Sequence, residues 1–178
     1  MRQSALLGIA LVALLTGCSG PIATRIETAL PAAPASGSSY ILSLSEGKVG
    51  AIEADAARLL ESRLSGHGFT RTIDPEAAQY AVALSVAERP ADMTYTTGGA
   101  PLAVAKSRKL MQSCNDRDLR VAVVITRVAD AALAYRGSAA EYHCKAKMAD
   151  VMPGLMDAAL QGMSGKIGSW VEKRHGVD

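Results

Sequence analysis

The alternation of large and small side chains between residues 119 and 142 constrains the fold of this chain more than any other feature. Successive side chains of a β-strand point to opposite faces, so an apolar residue at every second position creates one buried face. The first half of the segment carries four such residues: Leu119, Val121, Val123 and Ile125. After a turn at residues 129–132 the alternation continues on a return strand. The pattern predicts an antiparallel hairpin of strands 119–128 and 133–142.

Two further strands and a helix are predicted upstream of this hairpin. Residues 40–45 alternate in the same way, and residues 80–87 alternate strictly between large and small side chains. We expect the large side chains of the second strand to pack under a helix: Tyr80, Val82, Leu84 and Val86. Residues 50–65 predict that helix, because one stripe carries the apolar side chains Ile52, Ala56, Leu59, Leu60 and Leu64. Gly66 and Gly68 are typical of a helix end.

A second helix is predicted over residues 150–171. Pro153 lies in its first turn, where proline is tolerated, and a stripe of methionines continues to Trp170. Four glycines weaken the pattern, so a break near residue 164 is compatible with it. The order strand, helix, strand, long loop, strand, strand, helix predicts an α+β fold. In that fold a mostly antiparallel four-stranded sheet is covered by two helices in a two-layer sandwich.

Residues 91–117 are the least regular part of the predicted domain. A long loop in a compact domain is often functional or disordered. This loop contains three basic residues that are a candidate surface contact for lipid headgroups or a partner: Lys106, Arg108 and Lys109. A solvated loop is the simpler interpretation of the same cluster.

The chain begins as a secreted protein begins. Residues 1–17 combine one positive charge, at Arg2, with an apolar run that is too short to span a bilayer, which needs about 20 residues. The run ends in Leu15-Thr16-Gly17-Cys18, which resembles the lipobox of bacterial lipoproteins. This resemblance implies a signal peptide that is removed before Cys18, and covalent diacylglycerol and N-acyl chains on that cysteine. An ordinary secretory signal with an incidental cysteine is the alternative.

The lipobox resemblance also carries an expectation about location. In such lipoproteins a serine directly after the cysteine, here Ser19, is associated with location in the outer membrane, facing the periplasm. Residues 18–39 are rich in Pro, Ala and Ser and predict a flexible tether before a single domain over residues 40–178. Ile22, Ile26 and Leu30 lie at helical spacing, so a short helix is an alternative within the tether.

Few residues suggest chemistry. Cys114 and Cys144 are a candidate disulfide in an oxidising envelope, with two separately buried thiols as the alternative. The segment with Glu141, His143 and Cys144 is the only one in which several side chains that could bind a metal lie close together in the sequence. A zinc site needs three or four convergent ligands, so we expect no metal and no cofactor besides the acyl chains.

No known nucleophile or phosphate-loop motif occurs, so no catalytic residue is predicted and we expect a protein that is not an enzyme. The net charge of +2, with no long block of Lys and Arg, predicts no binding to nucleic acid.

The whole pattern resembles small bacterial envelope lipoproteins of the DUF4136 type, a family without an established activity. The resemblance rests on Cys18, on the strand at residues 40–44 and on the helix that ends before Phe69, followed by the strands and the terminal helix. A weaker resemblance, to auxiliary lipoproteins of ABC-type envelope transport systems, rests on the strand at 40–44 and the helix after it.

The anchor, the absence of catalytic motifs and the small two-layer domain predict a non-enzymatic module, anchored to the membrane, that binds an envelope protein or supports envelope assembly. The resemblance to transport auxiliary lipoproteins implies instead a component that handles lipid. That function requires an apolar groove, which we expect between the Ala-rich face of the sheet and the Met-bearing helix.

Overall fold

A computed structural model describes residues 21–44, 50–97, 100–103, 105–107 and 114–174. Its elements, in chain order, are β1 (Ile22–Ala29), β2 (Ser39–Leu44), α1 (Ala51–Gly66), β3 (Thr70–Arg71), β4 (Tyr80–Pro90), β5 (Tyr95–Thr97), β6 (Ala100–Ala103), β7 (Arg117–Arg127), β8 (Leu133–His143), α2 (Met148–Leu160), a 3₁₀ turn (Gln161–Ser164) and β9 (Gly168–Arg174).

Seven strands form one mixed sheet in the order β3-β2-β4-β7-β8-β1-β9. The predicted hairpin of β7 and β8 is confirmed and lies in its centre, with Val121 opposite Ala139 and Val123 opposite Gly137. β2 runs parallel to β3 and β4, whereas the other neighbours in the sheet are antiparallel. β5 and β6 pair separately, within the predicted long loop.

The register defines two ends of the sheet. We call the end at which β1 begins the proximal end; it also holds the end of β4 at Pro90, the start of β7 at Arg117 and the end of β8 at His143. The opposite, distal end holds Tyr80, Arg127 and Leu133. α1 ends at the distal end, and α2 starts beside the proximal end, because each helix runs back along the strand that precedes it.

Both helices lie on one face of the sheet, the helix face, and the predicted α+β class with two helices is confirmed. Val82, Leu84 and Val121 pack there against the helices, as predicted for the large side chains of β4. From the helices come Ala56, Leu60, Leu64, Met152, Leu155 and Met156, all buried. The opposite, open face carries small side chains, including Ala83, Ser85 and Ala122.

The prediction of a four-stranded sheet is wrong, because three strands of the sheet, the short β3 and the longer β1 and β9, lie in segments without a strand prediction. The flexible tether was predicted to extend to residue 39, but Ile22–Ala29 form β1 between β8 and β9. The helical spacing of Ile22 and Ile26 is therefore misleading. These side chains alternate with exposed ones, together with Thr24 and Thr28, and they point to the helix face.

The second helix was predicted to continue to residue 171, but α2 ends at Leu160. Gly165 then adopts a left-handed conformation with φ of 95°, which side chains larger than hydrogen disfavour. The chain reverses there and returns as β9, so that Trp170 packs against the core from a strand rather than from a helix.

A glycine in β8 sets the distance between the sheet and α2. An added Cβ at Gly137 would lie 1.8 Å from the carbonyl oxygen of Ala159 and 2.4 Å from the hydroxyl of Tyr135. That hydroxyl donates a hydrogen bond to the same carbonyl oxygen. The absence of a side chain at Gly137 therefore lets the last turn of α2 contact the sheet backbone.

We expect Gly137→Ala to destabilise the protein by about 1–3 kcal/mol, because the added methyl group must displace backbone atoms of α2. Gly154→Ala, within α2, is the matched control, since a Cβ there meets no atom within 4 Å. The control should be neutral or more stable by up to about 1 kcal/mol. Urea unfolding of the three proteins measures both effects, and equal stability of wild type and Gly137→Ala would contradict the close packing.

Candidate functional site

The polar side chains that the described structure buries concentrate at the proximal end of the sheet. Neighbouring residues of β8 point to opposite faces, so Glu141 and His143 lie on the helix face whereas Tyr142 lies on the open face. The same alternation places Thr24 of β1 on the helix face and Arg25 on the open face. Five adjacent strands, in the order β4-β7-β8-β1-β9, thereby contribute to two separate polar clusters, one on each side of the sheet.

The first cluster, the Glu141 cluster, surrounds a carboxylate that is only 2% exposed. Thr24 Oγ1 donates to Glu141 Oε1 at 2.5 Å, and His143 Nε2 lies 2.7 Å from Oε2. Arg174 of β9 adds two donors, Nε at 3.2 Å from Oε1 and Nη2 at 2.7 Å from Oε2. Because an ionised carboxylate only accepts hydrogen bonds, the proton on this His143 nitrogen must face it.

These donors determine the charge of Glu141. Burial of the carboxylate raises its pKa, but hydrogen bonds from His143, Arg174 and Thr24 outweigh burial and lower the pKa to about 2. The same contact raises the pKa of Arg174 through its hydrogen bond to Glu141. The ion pair ties β1, β8 and β9 together, and its carboxylate is held ionised and fully engaged.

The second cluster, the Asp118 cluster, lies on the open face. The carboxylate of Asp118, at 1% exposure, accepts from Arg25 of β1 through Oδ1 and from Arg89 of β4 at 2.6 Å through Oδ2. Arg120 approaches it at 3.8 Å. The guanidinium of Arg25 also stacks 3.8 Å from the centroid of the Tyr142 ring. One buried acid thus holds cations from three strands, and the cations retain exposed surface.

The long loop is attached to this second cluster. The ammonium of Lys106 forms an ion pair with Asp116 and lies 4.6 Å from the centroid of the Tyr142 ring. Ala91 N–H donates to the carbonyl of Asp116, and Lys106 N–H donates to the carbonyl of Ala91. Lys106, predicted as a surface contact, is therefore partly buried and ion-paired, and its role as a contact stays a prediction. Arg108 and Lys109, predicted with it, lie outside the described residues.

The two predicted cysteine partners lie at the same end. Cys114 and Cys144 form a disulfide in the structure, with 5.7 Å between their Cα atoms. The bridge joins the end of the long loop to the residue after β8. Arg117 adds a second link, since its Nη2 donates at 2.8 Å to the carbonyl of Ala146 in the β8–α2 connection.

Cys18, the predicted lipidation site, lies outside the described residues, four positions before the first residue of β1. His143 and Glu141, which the sequence offered as possible metal ligands, do come together, but as hydrogen-bond partners. Among the described residues, no group of three or more His, Cys, Asp or Glu side chains could hold a metal ion.

Sequence reasoning missed Thr24, Arg25 and Arg174 because it placed them outside any strand. A signal for β1 was present, since every second residue from Ile22 to Thr28 is β-branched, which is typical of strands. A signal for the Asp118 cluster was also present. Asp118 directly precedes the apolar strand that starts at Leu119, and a charged side chain that is buried with such a strand needs a partner of opposite charge.

The open face beyond the Asp118 cluster contains a shallow depression with a volume of about 210 Å³. Small side chains line most of it, including Ser43, Ala83, Ser85 and Ala122. The groove expected between this face and the Met-bearing helix does not form. The buried methionines of α2 pack on the helix face, so the sheet itself separates them from the Ala-rich face. Neither helix in the described ranges has the length and hydropathy of a membrane span.

No protein-family model and no curated protein matches this chain. A solved PDZ domain protein from Parabacteroides distasonis is similar to it, with a TM-score of 0.56 and 10% identity over 86% of this chain. The match covers 39% of that longer protein and shows a shared fold alone. Weaker likenesses are to the PelC dodecamer from Paraburkholderia phytofirmans and to a putative lipoprotein from Caulobacter crescentus.

The PelC match has a TM-score of 0.47 and 14% identity, and covers 80% of this chain and 99% of that chain. The lipoprotein match has a TM-score of 0.37 and 17% identity, and covers 70% and 85%. Lipoproteins are therefore among the solved structures that the chain resembles, but scores this low support no argument about its role. Membership of the DUF4136 type is not shown.

We expect Glu141→Gln to destabilise the protein by about 3 kcal/mol at pH 7, because it removes a carboxylate whose pKa in the folded state is lowered from 4.5 to about 2. This stabilisation is complete above pH 4.5 and is lost as the pH falls toward 2, since the unfolded chain then binds the proton more readily. Urea unfolding of both proteins between pH 7 and pH 2.5 measures the difference.

The matched control is Glu88→Gln, which alters the half-exposed pair of Glu88 with Arg117. That pair should contribute less than about 1 kcal/mol at pH 7. A stability gap between wild type and Glu141→Gln that does not narrow at low pH would contradict the assignment.

Proposed function

We propose that this chain is a lipid-anchored protein of the bacterial envelope that binds a partner protein through the open face of its sheet. The observation that carries the proposal is the two-layer architecture: no element in the described part of the chain covers the centre of that face. Ala83, Ser85 and Ser43 are exposed there, so a partner could approach the sheet backbone closely.

The anchor half of the proposal rests on the sequence Leu15-Thr16-Gly17-Cys18 and on the position of β1. An anchor on Cys18 would attach the proximal end of the sheet to the membrane, and the strands would run away from the bilayer surface. The open face would then stand beside the bilayer, where it can meet another envelope protein. Ser19 favours the outer membrane within the same proposal.

The state of the buried acids supports a non-enzymatic role. Glu141 and Asp118 are the two carboxylates that the described structure buries most completely, and each is engaged by at least two donors. Glu141, whose pKa is lowered to about 2 by its donors, is ionised near neutral pH and cannot act as a proton donor there. Lipid handling is less well supported, since a depression of about 210 Å³ is smaller than the pockets of about 300–1,000 Å³ that hold drug-sized ligands.

Full-length protein produced in bacteria fed an alkyne fatty acid should carry the label, and Cys18→Ser should abolish it. Cys114→Ser is the matched control: it also removes one cysteine but should keep the label, because the signal that directs acylation is intact. In-gel fluorescence after azide coupling measures the label. Labelling of Cys18→Ser at the wild-type level would show that Cys18 is not the acylated residue.

A photo-crosslinking amino acid at Ser85, at the centre of the open face, should give one discrete adduct with an envelope protein in living cells. The same amino acid at Arg58, which is exposed on α1, is the control and should give none. Ala83→Arg, added to the Ser85 probe, should abolish the adduct because a long charged side chain blocks the face. Adducts of equal yield from both positions, or an adduct that tolerates Ala83→Arg, would refute binding at the open face.

A further inference from the structure

We infer that the proximal end of the sheet is a membrane-contact surface, at which exposed lysines bind the anionic headgroups of the bilayer that holds the anchor. The inference rests on the proposed lipidation of Cys18 and adds to it a defined orientation of the domain. Two observations carry it: the short reach from the anchor to β1, and the distribution of charge between the two ends of the sheet.

The reach follows from covalent geometry. Four residue steps separate Cys18 from Ile22, the first residue of β1. A fully extended chain spans at most about 3.6 Å per residue, so Ile22 must lie within about 14 Å of an anchored Cys18 in any conformation of the link. Ile22 is itself 6% exposed and paired with Arg174, so the sheet cannot easily release it to lengthen the link. The proximal end of the sheet therefore has to face the bilayer.

Three exposed lysines lie at this end. Lys145 and Lys147 belong to the connection between β8 and α2, and Lys173 is the second-last residue of β9, opposite Ala23. None of the three forms a salt bridge with a residue that the structure describes. Their charges are therefore available to phosphate groups of the bilayer, in contrast to the arginines that Asp118 and Glu141 hold.

The acids of the sheet are arranged in the opposite sense. At the proximal end, two acids are buried and paired with arginines: Asp118 is 1% exposed and Glu141 is 2% exposed. Asp92 and Asp150 are exposed at this end, where they face the three lysines and the outer surfaces of the arginines. At the distal end, the connections between strands present Asp74, Glu76 and Asp130 to solvent. An anionic surface attracts the proximal end and repels the distal end, so electrostatics and the anchor favour the same orientation.

The test uses the mature chain from residue 18 with Cys18→Ser, which contains every described residue and lacks acyl chains. Flotation with vesicles measures its partitioning. It should bind vesicles that contain phosphatidylglycerol, remain free with phosphatidylcholine alone, and be released as salt screens the charges. Lys145→Gln with Lys173→Gln should weaken partitioning by about ten-fold or more, since each lysine near an anionic bilayer contributes about five-fold.

The matched control is Arg136→Gln with Lys166→Gln, which removes the same charge from the distal end and should leave partitioning nearly unchanged. Equal loss in both double variants would show a general charge effect and overturn the proposal, as would the absence of binding to anionic vesicles. Displacement by millimolar glycerol phosphate would also overturn it, because it would indicate a pocket for one phosphate. Since this protein carries no acyl chain, failure here is distinct from failure of acylation at Cys18.

Discussion

Strand β1 is the element on which the other features of this structure depend. It lies between β8 and β9 and pairs with both along its length, so it closes one side of the sheet and holds β9 in place. Ile26, fully buried, places it in the main core. Without β1, Glu141 would lose Thr24 and Asp118 would lose Arg25, leaving two buried carboxylates with fewer donors. The strand that immediately follows the proposed anchor is therefore also part of the core.

The period of two along a strand explains why one end of the sheet contains two distinct polar clusters. On the helix face, Glu141 accepts hydrogen bonds from donors on three strands and is sealed beside the start of α2. On the open face, Asp118 holds arginines whose outer surfaces remain in solvent. The acids are thus internal and the cations partly external. Burial of these two negative charges therefore leaves the outer surfaces of their arginines, and not the carboxylates, exposed to solvent.

Local patterns predicted the centre of the molecule well. The alternation of Val121 and Val123, and of Val82 and Leu84, is a property of the strands themselves, because these residues sit on one face whichever neighbours the strands acquire. The stripe of Leu60 and Leu64 likewise determines which side of α1 is buried. The edges were predicted poorly. Ile22–Ala29 and Gly168–Arg174 are short segments among Pro, Gly and Ser, and they become strands because each completes the hydrogen bonding of the other.

The polar clusters, too, were predictable within one strand and not between strands. Glu141 and His143 are two residues apart on one strand, so their proximity was visible as a density of side chains in the sequence. Their partners Thr24 and Arg174 are more than 30 residues away and reach them only through the pairing of β1 with β8 and β9. The open face was foreseen as a surface of small residues, but its relation to the Met-bearing helix was not, because strand periodicity does not say which face a distant helix covers.

By itself, the sequence determined the hairpin and the buried side of each helix, and it identified the candidate residues Cys18, Cys114 and Cys144. These are local properties that depend on residue type and spacing within one element. Tertiary structure alone decided that β1 joins the sheet and that two acids are paired with arginines from separate strands. It also decided that three lysines, without a salt bridge to any described residue, lie at the end of the sheet where β1 begins. The reason is physical: strand pairing satisfies backbone hydrogen bonds between segments far apart in the chain, and no pattern within either segment records its partner.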